Sequence, residues 1–127
     1  MTSPRRALAV VTAMLVLSGC GGLSDGDVRR VAEDFAAGGA GERCELLAPS
    51  THAAVLAEAS SCEEALEQAE LGSGEVTEVA VWGEEAQAKL SDDTLFLTRT
   101  SSGWRVMAAA CRPQGADKPY ECQVEGA

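Results

Sequence analysis

The sequence predicts an α+β domain in which short N-terminal helices pack on a four-stranded antiparallel meander and disulfides cross-link the fold. Apolar residues recur at helical spacing up to about residue 71 and alternate from residue 75 onward. Four cysteines lie in the same region, which has only five aromatic side chains with which to build a core. A small domain with an alanine-rich interior gains little from burial, so cross-links are expected to stabilise it.

A signal segment precedes the domain. Arg5 and Arg6 supply positive charge, residues 7–17 form an apolar run, and the sequence Leu-Ser-Gly-Cys ends at Cys20. This pattern resembles the lipobox of bacterial lipoprotein signal peptides, which implies removal of residues 1–19 and a diacylglyceryl group on Cys20. The alternatives are an ordinary cleaved signal with an incidental thiol, or an uncleaved anchor. General secretion is favoured over the twin-arginine route, whose signal the residues around the two arginines match poorly.

The charge of the processed chain limits its partners. Residues 20–26 are expected to form a lipidated tether and residues 27–127 a single domain. Without residues 1–19 the chain keeps eight basic and twenty acidic side chains, a net charge of about −12. That sign argues against nucleic acid and against electrostatic docking on anionic lipid head groups.

The cysteine count fits export to an oxidising compartment. With Cys20 assigned to the lipid, Cys44, Cys62, Cys111 and Cys122 remain, and an even number there indicates disulfides. Of three connectivities we favour Cys44 with Cys62 and Cys111 with Cys122, because each pair lies within one local region. The cysteines are not at the short spacing of structural zinc sites and His52 is the only histidine, so neither a metal site nor a cofactor is predicted.

Four helices are expected before the sheet. A stop at Gly38-Gly39, a break at Pro49 and a capping box from Ser61 to Glu64 divide the helical half. Cys44 and Cys62 would each lie at a helix start, so their bond would clamp the second helix to the fourth. The helices are expected from about Asp27 to Ala37, from Glu42 to Ala48, from a cap at Ser50 through Ala59, and from Ser61 through Ala69.

The alternating half is expected to form four strands joined by three tight turns. The turns are placed at Gly83-Glu84, at Asp92-Asp93, and at either Ser101-Ser102 or Ser102-Gly103. The first turn pairs Val81 with Ala86, Val79 with Ala88 and Glu78 with Lys89; the second pairs Leu90 with Leu95 and Ala88 with Leu97. Tyr120, Cys122 and Val124 alternate like a short return strand.

One face of this meander is predicted to pack on the helices, and we call it the inward face. Its expected members are Thr77, Val79, Val81, Ala86, Ala88, Leu90, Leu95, Leu97, Trp104, Val106, Ala108 and Ala110, with Arg99 near the edge. The outer face is expected to carry Trp82, Phe96, Met107 and Cys111 among polar residues.

The order of these elements resembles the NTF2-like superfamily, in the form of small lipidated domains of high-GC Gram-positive bacteria. The resemblance covers residues 27–125. It rests on the sequence from Cys44 to Pro49, on Cys62 with Glu64, Ala65 and Leu66, on Gly103-Trp104-Arg105-Val106, and on Cys111 with the sequence from Pro119 to Cys122. It implies a curved, cone-shaped sheet. Enzymes of the superfamily place Asp, His or Tyr inside the cone, whereas the inward face here offers only Arg99 at its edge.

Two surfaces are candidates for binding. Small inward residues could leave a cavity between sheet and helices, with Trp104 and Arg99 at its rim, or could instead let the helices pack closely. On the outer face, Trp82 with Phe96 and Met107 marks a surface for a partner, unless the C-terminal tail covers these side chains through Tyr120.

The sequence therefore predicts a membrane-anchored extracytoplasmic lipoprotein. Its expected role is a non-enzymatic module that binds a partner protein or a small apolar ligand at the outer side of the cytoplasmic membrane. The alternative is an enzyme that uses the cone cavity, with His52 and either Glu45 or Glu58 as the only candidate base pair.

Overall fold

The computed structural model describes residues 21–126, in which four helices precede one five-stranded antiparallel sheet. The strands lie in the order β1-β2-β3-β4-β5. The predicted signal peptide and Cys20 lie outside the described residues. The elements are α1 (Gly21–Ala37), α2 (Ala40–Glu45), α3 (Pro49–Glu58), α4 (Cys62–Gln68), β1 (Val76–Trp82), β2 (Glu85–Leu90), β3 (Thr94–Thr100), β4 (Gly103–Arg112) and β5 (Glu121–Glu125).

Helix α1 begins six residues earlier than predicted, so residues 21–26 are helical and do not form the expected tether. Val28, Ala32 and Phe35 bury one face of the helix completely. Once packing has fixed that face, each further residue adds a hydrogen bond at little cost, and the helix extends toward its N-terminus. The Ser24 hydroxyl accepts a hydrogen bond from Arg99 Nη2 at 3.1 Å, which ties the first turn to the sheet.

The second helix is shorter than predicted because residues 46–48 pair with the sheet. The Ala48 N–H donates to the Val106 carbonyl at 2.8 Å, and the Val106 N–H donates to the Leu46 carbonyl at 2.8 Å. Helix α3 then starts at Pro49, with Ala48 rather than Ser50 at the N-cap. Proline suits the first helical position because its missing N–H has no partner there in any helix.

The Cys44–Cys62 disulfide joins α2 to α4, as predicted. The Ser61 hydroxyl caps α4 by accepting from the Glu64 N–H at 3.1 Å, and Cys62 is the first residue of the helix. Cys44 lies in the last turn of α2 rather than at its start, because that helix ends at Glu45.

The predicted pairs next to the turns of the first and third hairpins are confirmed. Farther from the first turn a β-bulge makes Thr77 the extra residue of β1, so its side chain is exposed and not on the inward face as predicted. Gly83, at φ +64°, opens the β1–β2 turn in a conformation that favours glycine. Ser101-Ser102 forms the β3–β4 turn, the first of the two predicted placements. The observed pairs include Val81 with Ala86, Val79 with Ala88 and Glu78 with Lys89 in the first hairpin, and Arg99 with Trp104 in the third.

The predicted register of the second hairpin is wrong by two residues. Ala88 pairs with Leu95 and Ala86 with Leu97, so the connection is longer than a two-residue turn at Asp92-Asp93. The Leu90 N–H donates to the Asp93 carbonyl at 2.8 Å and closes this connection. A shift of two leaves every side chain on its own face, and the predicted inward residues of β2 and β3 are buried.

The reason for the longer connection is Asp93, whose side chain is fully buried. Its carboxylate gathers backbone N–H groups from three separate segments and also contacts the Arg112 guanidinium at 3.4 Å. A buried carboxylate is stable only when its oxygens are satisfied in this way. The backbone donors are Gly72 (3.1 Å), Thr94 (2.7 Å), Ala110 (3.1 Å) and Cys111 (3.0 Å).

Asp92 holds the loop before β1 in a similar way. Its carboxylate accepts from the N–H groups of Ser73 at 3.0 Å and Gly74 at 2.9 Å. Gly72 passes so close to Asp92 and Asp93 that a Cβ atom there would overlap both side chains. The Gly-Ser-Gly sequence therefore does more than end the helical half, since it lets the backbone wrap around both carboxylates.

A β-bulge at Met107 overturns the predicted facing of the second half of β4. Leu97 pairs with Val106 but Phe96 pairs with Ala108, so one extra residue lies in β4. The Met107 carbonyl accepts from Thr51 Oγ1 at 2.8 Å and from the Gly126 N–H at 3.1 Å. After the bulge Ala109 joins the main hydrophobic cluster, whereas the predicted Ala108 and Ala110 stay buried but lie outside that cluster. Cys111, expected on the outer face among polar residues, is buried.

The predicted return strand joins the sheet as β5, which corrects the expected strand number from four to five. Ala109 pairs with Val124, and Cys111 pairs with Cys122. The predicted Cys111–Cys122 disulfide links these directly opposed residues. Together with residues 46–48, β5 covers the edge of β4 that would otherwise be open to pairing with other chains.

Core side chains fill the layer between sheet and helices. Phe35, Leu47 and Leu66 are each no more than 5% exposed and pack with the inward residues of the strands. The space expected between the small inward residues is thus occupied by core packing. No helix within residues 21–126 is long and apolar enough to cross a membrane.

We expect Asp93→Asn to lower the free energy of unfolding by about 2–4 kcal/mol, because an amide offers one acceptor oxygen where two oxygens now receive buried N–H groups. Urea unfolding followed by circular dichroism measures the change, with the exposed Asp117→Asn as the matched control. A loss no greater than that of the control would contradict the organising role of Asp93.

The pKa of Asp92 is lowered because the N–H groups of Ser73 and Gly74 donate to its charged form. A folded-state pKa below the unfolded value stabilises the fold above about pH 4 and ceases to do so as the pH falls through the folded value. Asp92→Asn should therefore lose less stability than the parent chain between pH 5 and about pH 2. Urea midpoints at stepped pH test this, and parallel curves for the two proteins would refute it.

Candidate binding groove

The outer face of the sheet carries a groove between β3, β4 and the chain that returns to β5. Its volume is about 360 Å³. That size lies within the range of small-molecule sites. The lining residues are Phe96, Met107, Ala108, Pro119, Tyr120, Cys122, Glu125 and Gly126.

The floor of the groove follows from the bulge in β4. Because Met107 is the extra residue, Ala108 lies opposite Phe96 on the outer face. A methyl side chain at that position leaves space next to the half-buried Phe96 ring. A strictly alternating strand would have placed Ala108 on the inward face.

The wall of the groove is the segment from Pro119 to Cys122. The Tyr120 ring meets the Phe96 ring edge to face, with centroids 5.2 Å apart and planes at 71°. The Cys111–Cys122 disulfide fastens this segment to β4. The wall is thus held by one covalent bond, one aromatic contact and the ladder between β4 and β5.

The chemistry of the lining is mostly apolar with a few polar groups. Glu125 supplies the one carboxylate among the lining residues, and Tyr120 supplies a hydroxyl. A site of this kind can hold the apolar part of a ligand. It can orient that ligand through one hydrogen-bonding or positively charged group that the ligand carries.

The structure brings together two of the three outer residues that were predicted to mark a surface. Phe96 and Met107 line the groove and Tyr120 partly covers it. Trp82 lies apart, at the end of β1, where it pairs with Glu85 and remains 54% exposed. The tail therefore covers the middle of the outer face and leaves Trp82 uncovered.

The Arg99–Trp104 pair forms, but not at the rim of an inward cavity. The Arg99 guanidinium lies 5.1 Å from the centre of the Trp104 ring, which is a cation–π contact. Trp104 is only 4% exposed and belongs to the core. A smaller cleft of about 220 Å³, lined by residues that include Asp27, Arg30 and Trp104, opens at this end of the sheet.

The residues named for the enzyme alternative are dispersed. His52 is half-buried in the first turns of α3, whereas Glu45 and Glu58 are exposed at the C-terminal ends of α2 and α3. Among residues 23–126, neither carboxylate forms an ion pair or hydrogen bond with the His52 side chain. The same part of the chain holds no group of three or more His, Cys, Asp or Glu side chains arranged for a metal ion.

Arg43 is a structural residue that sequence reasoning missed. Its guanidinium donates to the carbonyls of Ala36 at 2.9 Å, Gly38 at 3.0 Å and Gly72 at 3.1 Å, and lies 5.3 Å from the centre of the Phe35 ring. Burial lowers the pKa of Arg43, and the nearby carboxylates of Asp93 and Asp92 partly offset this effect. The arginine thus fastens the loop before β1 to the end of α1.

The return segment contributes groove residues that the sequence did not identify as binding residues, namely Pro119, Glu125 and Gly126. The alternation of Tyr120, Cys122 and Val124 was the available signal, since it placed a strand beside β4.

Comparisons of the chain with protein-family models, curated proteins and solved structures found no match. The groove is accordingly interpreted from its own geometry and chemistry.

Proposed function

We propose that this chain is a membrane-anchored extracytoplasmic lipoprotein that acts as a non-enzymatic binding module. Its ligand is a small apolar molecule held in the outer groove. The observation that carries the proposal is the apolar groove of about 360 Å³ whose wall is fastened by a disulfide and therefore preformed. Preformed sites lose less entropy on binding than sites that must first assemble.

The proposed location rests on two independent features. The sequence Leu-Ser-Gly-Cys at Cys20 provides the lipidation signal. The two disulfides within residues 21–126 suit an oxidising compartment, where such bonds persist. A diacylglyceryl anchor supplies the two chains that stable membrane attachment needs.

We also propose an NTF2-like relationship, supported by helices that precede a meander and pack on one of its faces. In this chain the layer between sheet and helices is filled by residues such as Phe35 and Leu47. The ligand site consequently lies on the opposite face of the sheet.

A small molecule fits the groove better than a protein partner. A stable protein interface covers about 800 Å² on each side, far more than a groove lined by eight residues provides. Glu125 and Tyr120 favour a ligand with an apolar body and one basic or hydrogen-bond-donating group. The non-enzymatic role is supported by the same residues, since they offer a carboxylate and a phenol without a positioned third group.

Filling the groove is the direct test. Ala108→Leu should weaken binding of the neutral apolar dye N-phenyl-1-naphthylamine by about tenfold or more, because the isobutyl side chain of leucine occupies the space beside Phe96. Fluorescence titration measures the affinity. Ala80→Leu adds the same group two strands away on the outer face and should leave the affinity unchanged. Equal effects of the two substitutions, or no saturable binding by the parent chain, would reject the proposed site.

The two disulfides should separate stability from binding. Replacing either pair with serine should lower the free energy of unfolding by about 3 kcal/mol, because the closed loops are of similar length. Only the Cys111→Ser, Cys122→Ser variant should also weaken dye binding, since Cys122 lies in the groove wall. The Cys44→Ser, Cys62→Ser variant is the control, and a matching loss of affinity in it would mean that binding merely follows stability.

A further inference from the structure

We infer that one end of the domain lies on the membrane surface, with Trp82 and Leu23 at the lipid interface. This end, called the anchor end, consists of the first turns of α1, the β1–β2 turn and the β3–β4 turn. In residue numbers it comprises 23–30, 82–85 and 99–105, except for Arg29, whose side chain extends to the start of β1. The inference rests on the proposed lipidation of Cys20.

Hydrogen bonds and strand pairs gather these segments at one end of the sheet. The Arg99 N–H donates to the Glu84 carbonyl at 2.8 Å, which joins the two turns. The Arg99 guanidinium donates to the Ser24 hydroxyl at 3.1 Å, which joins them to α1. Trp82 pairs with Glu85, and Glu85 pairs with Thr98 in the last part of β3, so Trp82 lies on the same end.

The start of α1 places this end next to the lipid. The helix begins at Gly21, the residue directly after Cys20. One residue spans at most about 3.6 Å, so a lipid on Cys20 leaves no flexible spacer between bilayer and helix. The bond between Arg99 and Ser24 then fixes the two turns beside the attachment point.

The exposed apolar side chains are concentrated at this end. Leu23 is 81% exposed and Trp82 is 54% exposed, and Leu56 on α3 is the third large apolar side chain exposed within residues 23–126. Leucine prefers the apolar side of a membrane interface, and the amphipathic ring of tryptophan prefers the level of the head groups. Insertion of Leu23 and Trp82 would remove both from water.

The acidic charge of the domain is not spread evenly. The anchor end carries three positive side chains and four carboxylates, for a net charge of −1. The positive side chains are those of Arg30, Arg99 and Arg105. Arg29 is counted elsewhere, because its guanidinium reaches the Val76 carbonyl at the start of β1. The other sixteen acidic and five basic side chains after Cys20 give −11. The four carboxylates are those of Asp25, Asp27, Glu84 and Glu85.

This distribution refines the argument made from the net charge alone. An anionic bilayer repels the part of the domain that carries −11 and barely repels the anchor end. Repulsion therefore orients the molecule, while the lipid on Cys20 and the two apolar side chains hold the anchor end down. The partner surface at this end is a lipid surface.

Tryptophan fluorescence tests the orientation in the full lipidated protein, reconstituted into phosphatidylcholine vesicles with a minor share of phosphatidylglycerol. Trp82 and the buried Trp104 are the only tryptophans. Emission should shift to shorter wavelength relative to the detergent-free, delipidated chain, and lipids brominated near the glycerol end should quench it. Trp82→Phe should abolish both effects and leave the Trp104 signal.

A charge-reversal pair separates docking at this end from general attraction. Arg30→Glu should lower the ratio of docked to undocked protein about fivefold or more, from the loss of a basic group near the surface. Lys118→Glu makes the same charge change in the exposed chain before β5 and should have little effect. Equal effects would overturn the inference.

Flotation of the vesicles distinguishes two failures. A protein that does not float with the vesicles lacks the proposed anchor, and both the anchor and the orientation fall. A protein that floats while Trp82 remains unshifted and unquenched keeps the anchor but refutes the orientation. Quenching that disappears in Trp82→Phe and weakens in Arg30→Glu supports the inference.

Discussion

The buried carboxylate of Asp93 is the interaction on which the rest of the structure depends. It receives backbone N–H groups from the loop before β1, from the start of β3 and from the end of β4. Those groups belong to three segments that are far apart along the chain. Satisfying them with one side chain fixes the length of the β2–β3 connection and therefore the register of that hairpin. It also positions Cys111 for its bond to the return strand.

The edge of β4 explains why the groove exists. Residues 46–48 occupy the first part of that edge and β5 occupies the second. Met107 lies between them as the extra residue, with its carbonyl satisfied by Thr51 and Gly126. The change of face after Met107 brings Ala108 beside Phe96. Edge protection and the formation of a concave outer surface are thus two results of the same bulge.

Short-range sequence patterns predicted much of the fold but little of the groove. Gly83-Glu84 predicted the register of the first hairpin, because tight turns are encoded by adjacent residues. For the third hairpin the sequence left two turn placements, of which Ser101-Ser102 is observed. The β2–β3 register was wrong because the partners of Asp93 are distant in sequence. The bulge was missed because the run from Met107 to Ala110 has no polar alternation to reveal a change of face. The groove was not predicted for related reasons. Its floor depends on the bulge at Met107, and its wall depends on the pairing of β5, near the C-terminus, with β4.

The bond between Cys111 and Cys122 also bears on when the groove comes into being. It closes a segment of 11 residues that carries the groove wall, and it forms only where thiols are oxidised. A chain still inside a reducing cytoplasm would have the helices and the first four strands available without a covalently fastened wall. Under the proposed function, the groove would gain its fastened wall only after export, and ligand binding would begin on the outer side of the membrane.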